Sequence, residues 1–160
     1  MRQTILHTNT VHWNGQGVKT GIVTSRFNEH LTTRLLDTCT TELRVCGIRE
    51  EDITACYVPG ALEIPYALQL MAKSGKYHVL IAIGAIIRGE TYHFEIVAGE
   101  SARALMDLSV AYGMPLGNGI LTVENEKQAI ERADPMQGDK GGDAVRAALT
   151  LIALKKKGGA

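Results

Sequence analysis

The chain has 160 residues, 45% of them hydrophobic, which suits one domain that buries roughly 70% of its unfolded surface. Its 17 basic and 17 acidic residues cancel, so no net field draws it toward nucleic acid or an anionic membrane. No apolar run approaches spanning length, the opening MRQTILHTNTVHWNGQG lacks the apolar core of a secretion signal, and three cysteines (Cys39, Cys46, Cys56) form no CxxC pair; a cytoplasmic protein with reduced thiols is expected.

Residues 1–16 read as a polar, extended leader to a single domain that takes in all of 1–160. Residues 19–24 (KTGIVT) predict a strand. Asn28 then caps a helix running to about Cys46, with Leu31, Leu35 and Leu36 as its apolar stripe and Gly47 as its stop. Residues 52–58 (DITACYV) predict a second strand, ended by Pro59 and Gly60, and a helix follows to about Lys73. Residues 79–87 (VLIAIGAII) carry no charge and are rich in β-branched side chains, the composition of a strand covered on both faces. Glu90 and Thr91 then open a helical segment that carries His93 about one turn in and runs to Tyr112, where Gly113 ends it. Residues 116–122 predict a fourth strand, 125–133 a short helix, 134–139 a loop and 142–157 a last helix, whose Lys155, Lys156 and Lys157 suit the negative end of its dipole. This alternation implies right-handed βαβ units: a three-layer α/β/α sandwich around a mainly four-stranded parallel sheet.

In open parallel sheets, ligands bind beyond the carboxyl ends of the strands. Those ends read SRFN (25–28), PGALE (59–63), RGET (88–91) and TVEN (122–125). Phe27, one of two phenylalanines, either offers a flat face to a heterocycle or packs on the neighbouring helix. Gly60 and Ala61 permit close backbone approach to a ligand, and the Glu63 carboxylate either accepts from a polyol or complements a helix dipole. At a helix start the first amides lack internal partners and the dipole is positive, so Gly89, Glu90 and Thr91 read as an anion seat. His93 either caps and packs there or exchanges protons, as imidazoles do near neutral pH. With Glu90 and Glu95 it makes a poor metal set, and none is expected. Arg132 can grip phosphate bidentately and Lys140 adds a point charge, although both are equally readable as solvated cations. Nothing in the sequence brings them to His93 within one chain; another subunit is one route. His7, His12, His30 and His78 carry no site signal.

The segments SRFNEH, VPGALEIP, GAIIRGETYHFEIVAGES, GILTVENEKQAIERA and GDKGG, in this order and spacing, resemble the lumazine synthase (6,7-dimethyl-8-ribityllumazine synthase) family from about Gly17 onward. The resemblance implies a flavodoxin-like fold and a transferase of riboflavin biosynthesis. Its substrates are 5-amino-6-(D-ribitylamino)uracil and 3,4-dihydroxy-2-butanone 4-phosphate, and no metal or redox cofactor is needed. It further implies that Phe27 stacks on the pyrimidine, that Ala61, Leu62 and Glu63 hold the ribityl chain and ring edge, and that the backbone of Ala85, Ile86 and Ile87 reads the pyrimidine. Gly89, Glu90 and Thr91 match the phosphate cradle, His93 the proton donor, Arg132 the phosphate-binding arginine and Lys140 a basic neighbour. Asn118 stands where many members carry an aromatic, so its part in the pocket wall is open. The family assembles as homopentamers, some built into icosahedral shells, with active sites between subunits; here that sets Phe27, Glu63 and His93 of one subunit against Asn118, Arg132 and Lys140 of another. The rival readings are an archaeal-type riboflavin synthase, and a flavin- or ribityl-binding or shell-forming protein without turnover.

Overall fold

The structure, a computed structural model, describes residues 13–158. His7, His12 and most of the expected leader, with its proposed place on a neighbour's sheet edge, lie outside the described residues.

The most apolar runs of the chain form the centre of the sheet. All six residues of β1 (Thr20–Ser25) are buried, as are the first eight of β3 (Val79–Ile87). With β2 (Ile53–Val58) and β4 (Leu116–Val123) they make an all-parallel sheet in the order β2-β1-β3-β4. Alternation along β3 divides the core. Ile81, Ile83 and Ala85 pack with Leu35 and Leu43 of α1 (Glu29–Val45) and Leu149 of α5 (Lys140–Gly158). Leu80, Ala82 and Ile86 pack with Leu68 of α2 (Ile64–Ser74) and Leu105 of α3 (His93–Tyr112). The short α4 (Glu126–Ala133) joins the first layer through Ala129 and Ala133. This is the expected three-layer fold, and its topology is flavodoxin-like.

Three helix starts differ from the sequence reading. Asn28 stands at the N-cap of α1 but makes no capping bond; its backbone is left-handed and its side chain reaches β3 instead. The helix after β2 begins with a 3-10 turn, Ala61–Glu63, because the Glu63 carboxylate folds back onto the Gly60 amide at 2.9 Å. The last helix opens at Lys140, not Gly142, since Asp139 receives the Gly142 amide on Oδ1 and the Asp143 amide on its carbonyl. Asn125 does cap α4 as its type predicts, accepting the Gln128 amide at 2.9 Å.

Glycine on β4 lets α5 lie close to the sheet. A Cβ built on Gly117 overlaps the Ala144 carbonyl of α5 and approaches the Ala148 Cβ to 3.2 Å. Gly117→Ala is expected to cost about 1–3 kcal/mol of folding stability through this overpacking. Urea denaturation checks it, and an unchanged midpoint would refute the close approach.

Candidate active site

The strand order reverses between β1 and β3, and the ladder joining them ends at Thr24 and Ile83. Beyond that point, where β1 and β3 separate, a cleft of about 550 Å³ opens at the carboxyl edge of the sheet. Its size suits a small organic ligand. One wall is the β1 tip with Ser25 and Phe27, the floor is Ala85, Ile86 and Ile87, and a second wall is Pro59 to Glu63 after β2. The third side comes from Gly89, Thr91 and His93, with Phe94 and Val97 of α3 behind them.

Phe27, Ala61, Leu62, Glu63, Ala85, Ile86, Ile87, Gly89, Thr91 and His93 therefore meet in one cavity. The Phe27 ring is 73% exposed, so it does not pack on the neighbouring helix. Glu63 bonds the Gly60 amide at 2.9 Å, the local role first, and stands exposed on the cleft wall as well.

The helix start expected at Glu90 and Thr91 lies further along the chain. The helix begins at His93 itself, with Tyr92 as N-cap, and Glu90 and Thr91 form a bend before it. The Thr91 hydroxyl sits 3.4 Å from the His93 amide, a turn-forming contact that competes with helix at that position. The helix-end amides thus belong to His93 and its successors, while Gly89 and Thr91 border the same cavity. Glu90 is exposed and does not line it.

Within one chain the remaining candidates lie elsewhere. Arg132 on α4 donates to the Gln128 carbonyl at 3.2 Å, and Lys140 pairs with Asp143 at 2.8 Å. Asn118 is not at a strand end: β4 continues to Val123, and Asn118 pairs with Ala82, below the tip of β3. Its Oδ1 accepts from the Ile120 amide, and the residue is exposed on the edge strand. Among the described residues, no three His, Cys, Asp or Glu side chains gather as a metal site, and no helix is long and apolar enough to cross a membrane.

Two features escaped the sequence reading. Phe94, the second phenylalanine, lines the cleft behind His93; the rarity of the residue type and its place beside the histidine were the available signal. Arg88 fastens the bend. Its Nε donates to Glu124 at 2.7 Å, its Nη1 donates to Glu95, and its guanidinium lies 4.2 Å from the Phe94 ring centroid. One side chain thereby joins the exits of β3 and β4 to the first turn of α3.

This fold and cleft define an α/β protein with a ligand-sized cavity at the carboxyl edge of its sheet, lined by an aromatic ring, a carboxylate, an imidazole and the first turn of a helix. The chain belongs to the 6,7-dimethyl-8-ribityllumazine synthase family, whose model matches residues 17–156. It is 55% identical over 136 residues to the 6,7-dimethyl-8-ribityllumazine synthase of Novosphingobium aromaticivorans, covering 85% of this chain and 95% of that one. It is 51% identical over 138 residues to the enzyme of that name from Sphingopyxis alaskensis, at 86% and 95% coverage. With the one from Nitrosomonas europaea the identity is 50% over 141 residues, at 88% and 84%.

Hydrogen bonding from Arg88 holds the Glu95 carboxyl below its ordinary range. A carboxyl depressed in the folded state contributes stability above its unfolded pKa, about 4.3, and loses it as pH falls through the folded value. The fastening of the bend is therefore complete at neutral pH and released by acid. Arg88→Met is expected to return Glu95 toward the ordinary value, read by carbon-13 carboxyl titration; an unmoved titration would refute the pairing.

Proposed function

We propose that this protein condenses 5-amino-6-(D-ribitylamino)uracil with 3,4-dihydroxy-2-butanone 4-phosphate, giving 6,7-dimethyl-8-ribityllumazine, phosphate and water in riboflavin biosynthesis. The observation that carries the reading is the single cleft that holds Phe27, Glu63, Thr91 and His93 together, in a chain about half identical to enzymes of that name. An archaeal-type riboflavin synthase or a binding protein without turnover is not favoured by those relatives.

The chemistry assigns the walls. The pyrimidine stacks on Phe27 while the backbone of Ala85, Ile86 and Ile87 reads its edge, and Ala61, Leu62 and Glu63 receive the ribityl chain. Gly89 and Thr91, with the amides at the start of α3, seat the phosphate. The amine adds to the butanone carbonyl and loses water as an imine forms. Phosphate then departs, the ring closes on the ribityl-bearing nitrogen, and a second water is lost. Each stage moves protons at the reacting nitrogens and oxygens, which His93 delivers and accepts. Holding both substrates in one cleft supplies most of the acceleration.

Arg132 and Lys140 lie outside the cleft of their own chain, and an anionic leaving group is better held by a cation than by amides alone. In this reading they come from an adjacent copy, with Asn118 on the same side, in a homopentamer or a shell built from pentamers. Exposed Tyr66 and Leu70 of α2 and Met106 and Val110 of α3 are apolar surface of the kind that subunits cover. The chain acts as one domain in the cytoplasm. Its three cysteines are free, and burial pushes the Cys39 thiol up to about 12 and the Cys46 thiol to about 11, so neither is reactive.

Incubation of the protein with both substrates is expected to give lumazine fluorescence and stoichiometric phosphate, and neither signal would appear if the assignment is wrong. His93→Ala is expected to lower kcat about tenfold, less than a typical acid–base residue because placement dominates, and Arg132→Ala about a hundredfold. An unimpaired Arg132→Ala enzyme would refute the phosphate role. Co-expressed His93→Ala and Arg132→Ala subunits are expected to recover about a quarter of wild-type activity by random assortment around a shared site. No recovery would place both residues in one subunit's site.

A further inference from the structure

With its ring 73% exposed, Phe27 owes its place to its backbone, not to packing around the ring. The Arg26 and Phe27 amides donate to the Val58 and Pro59 carbonyls at 2.8 and 3.0 Å, which ties the tip of β1 to that of β2. On the opposite side the β1–β3 ladder has already ended. The gap there is bridged by a side chain: Asn28 Nδ2 donates to the Ala85 carbonyl at 2.9 Å, across 57 residues of sequence.

Two local irregularities accompany that bond. Asn28 is left-handed, at φ 58° and ψ 47°, a region that asparagine tolerates better than most residues. At a helix start an asparagine ordinarily accepts from the helix's own amides, and this one does not. Both irregularities turn the carboxamide away from α1 and onto β3. We propose that Asn28 is a positioning residue for ring stacking: its carboxamide sets the spacing between the Phe27 face and the strand tip at Ala85, the gap into which a planar ring slides. The inference rests on Phe27 being the stacking face.

Asn28→Gly keeps the left-handed backbone and deletes the bond, while Asn28→Asp keeps the shape and replaces the donor by an acceptor. Both are expected to raise KM for the ribitylaminouracil substrate and Kd for the lumazine product, read by fluorescence titration, about tenfold. KM for the butanone phosphate is expected to stay within about twofold, because only the pyrimidine wall moves. In a Phe27→Ala background, Asn28→Gly is expected to add no further loss of pyrimidine affinity. Wild-type pyrimidine affinity in Asn28→Gly, a joint rise of both KM values, or additive losses in the double variant would each overturn the proposal. Should Asn28→Gly not fold, Asn28→Asp decides on the same readings. If Phe27→Ala binds pyrimidine normally, the stacking assignment fails and takes this inference with it; if Phe27→Ala is weak and Asn28→Gly is not, the positioning role alone fails.

Discussion

Both faces of β1 and β3 are covered, and that burial confines polar chemistry to the ends of the strands. A polar side chain within either strand is desolvated, as the buried and unpartnered Thr20 and Thr24 hydroxyls of β1 are, whereas one at the tip meets solvent or ligand. The fold then decides which tip matters. Because β2 lies on one side of β1 and β3 on the other, the chain leaves β1 and β3 in opposite directions and opens a crevice between them. Every cleft residue described above is within a few positions of a strand's carboxyl end or of the first turn of α3.

The crevice is kept in shape by bonds that cross between elements, not by packing of the groups that face the ligand. Phe27 stands bare, and His93 is exposed. Around them the Arg26 and Phe27 amides hold β2, Asn28 holds β3, and Arg88 holds β4 and α3. Such an arrangement leaves the ligand-facing surfaces free while fixing their separations, which suits a reaction whose main demand is to hold two polar molecules in register. Local helix stability is given up for it at Asn28 and at the delayed start of α3.

An isolated chain brings an aromatic face, a carboxylate, the start of α3 and an imidazole to one cleft, while Arg132 and Lys140 lie outside it. Under the proposed assembly, the exposed apolar side chains of α2 and α3 join copies and complete the site at once. Association and catalysis then share one geometry.

The strand order of types, the buried character of 79–87 and the gathering of unusual residues at strand ends were legible along the chain, because apolar periodicity and turn residues are local signals. Membership of the family was legible too, since SRFNEH and GAIIRGETYHFEIVAGES carry it in their residues and spacing. Asn28 was read as an ordinary cap because its type favours that role; its partner, Ala85, is distant in sequence and becomes a neighbour only once β1 and β3 pair. For the same reason Arg88 gave no sign of Glu124 or Phe94, and the start of α3 at His93 depended on where the bend, held from outside the segment, released the helix. The amino-acid order by itself thus determined the elements, their faces and the chemical inventory of the site. The tertiary structure alone decided which groups meet, because side-chain partners far apart along the chain are set by sheet order and crossover, which no local pattern encodes.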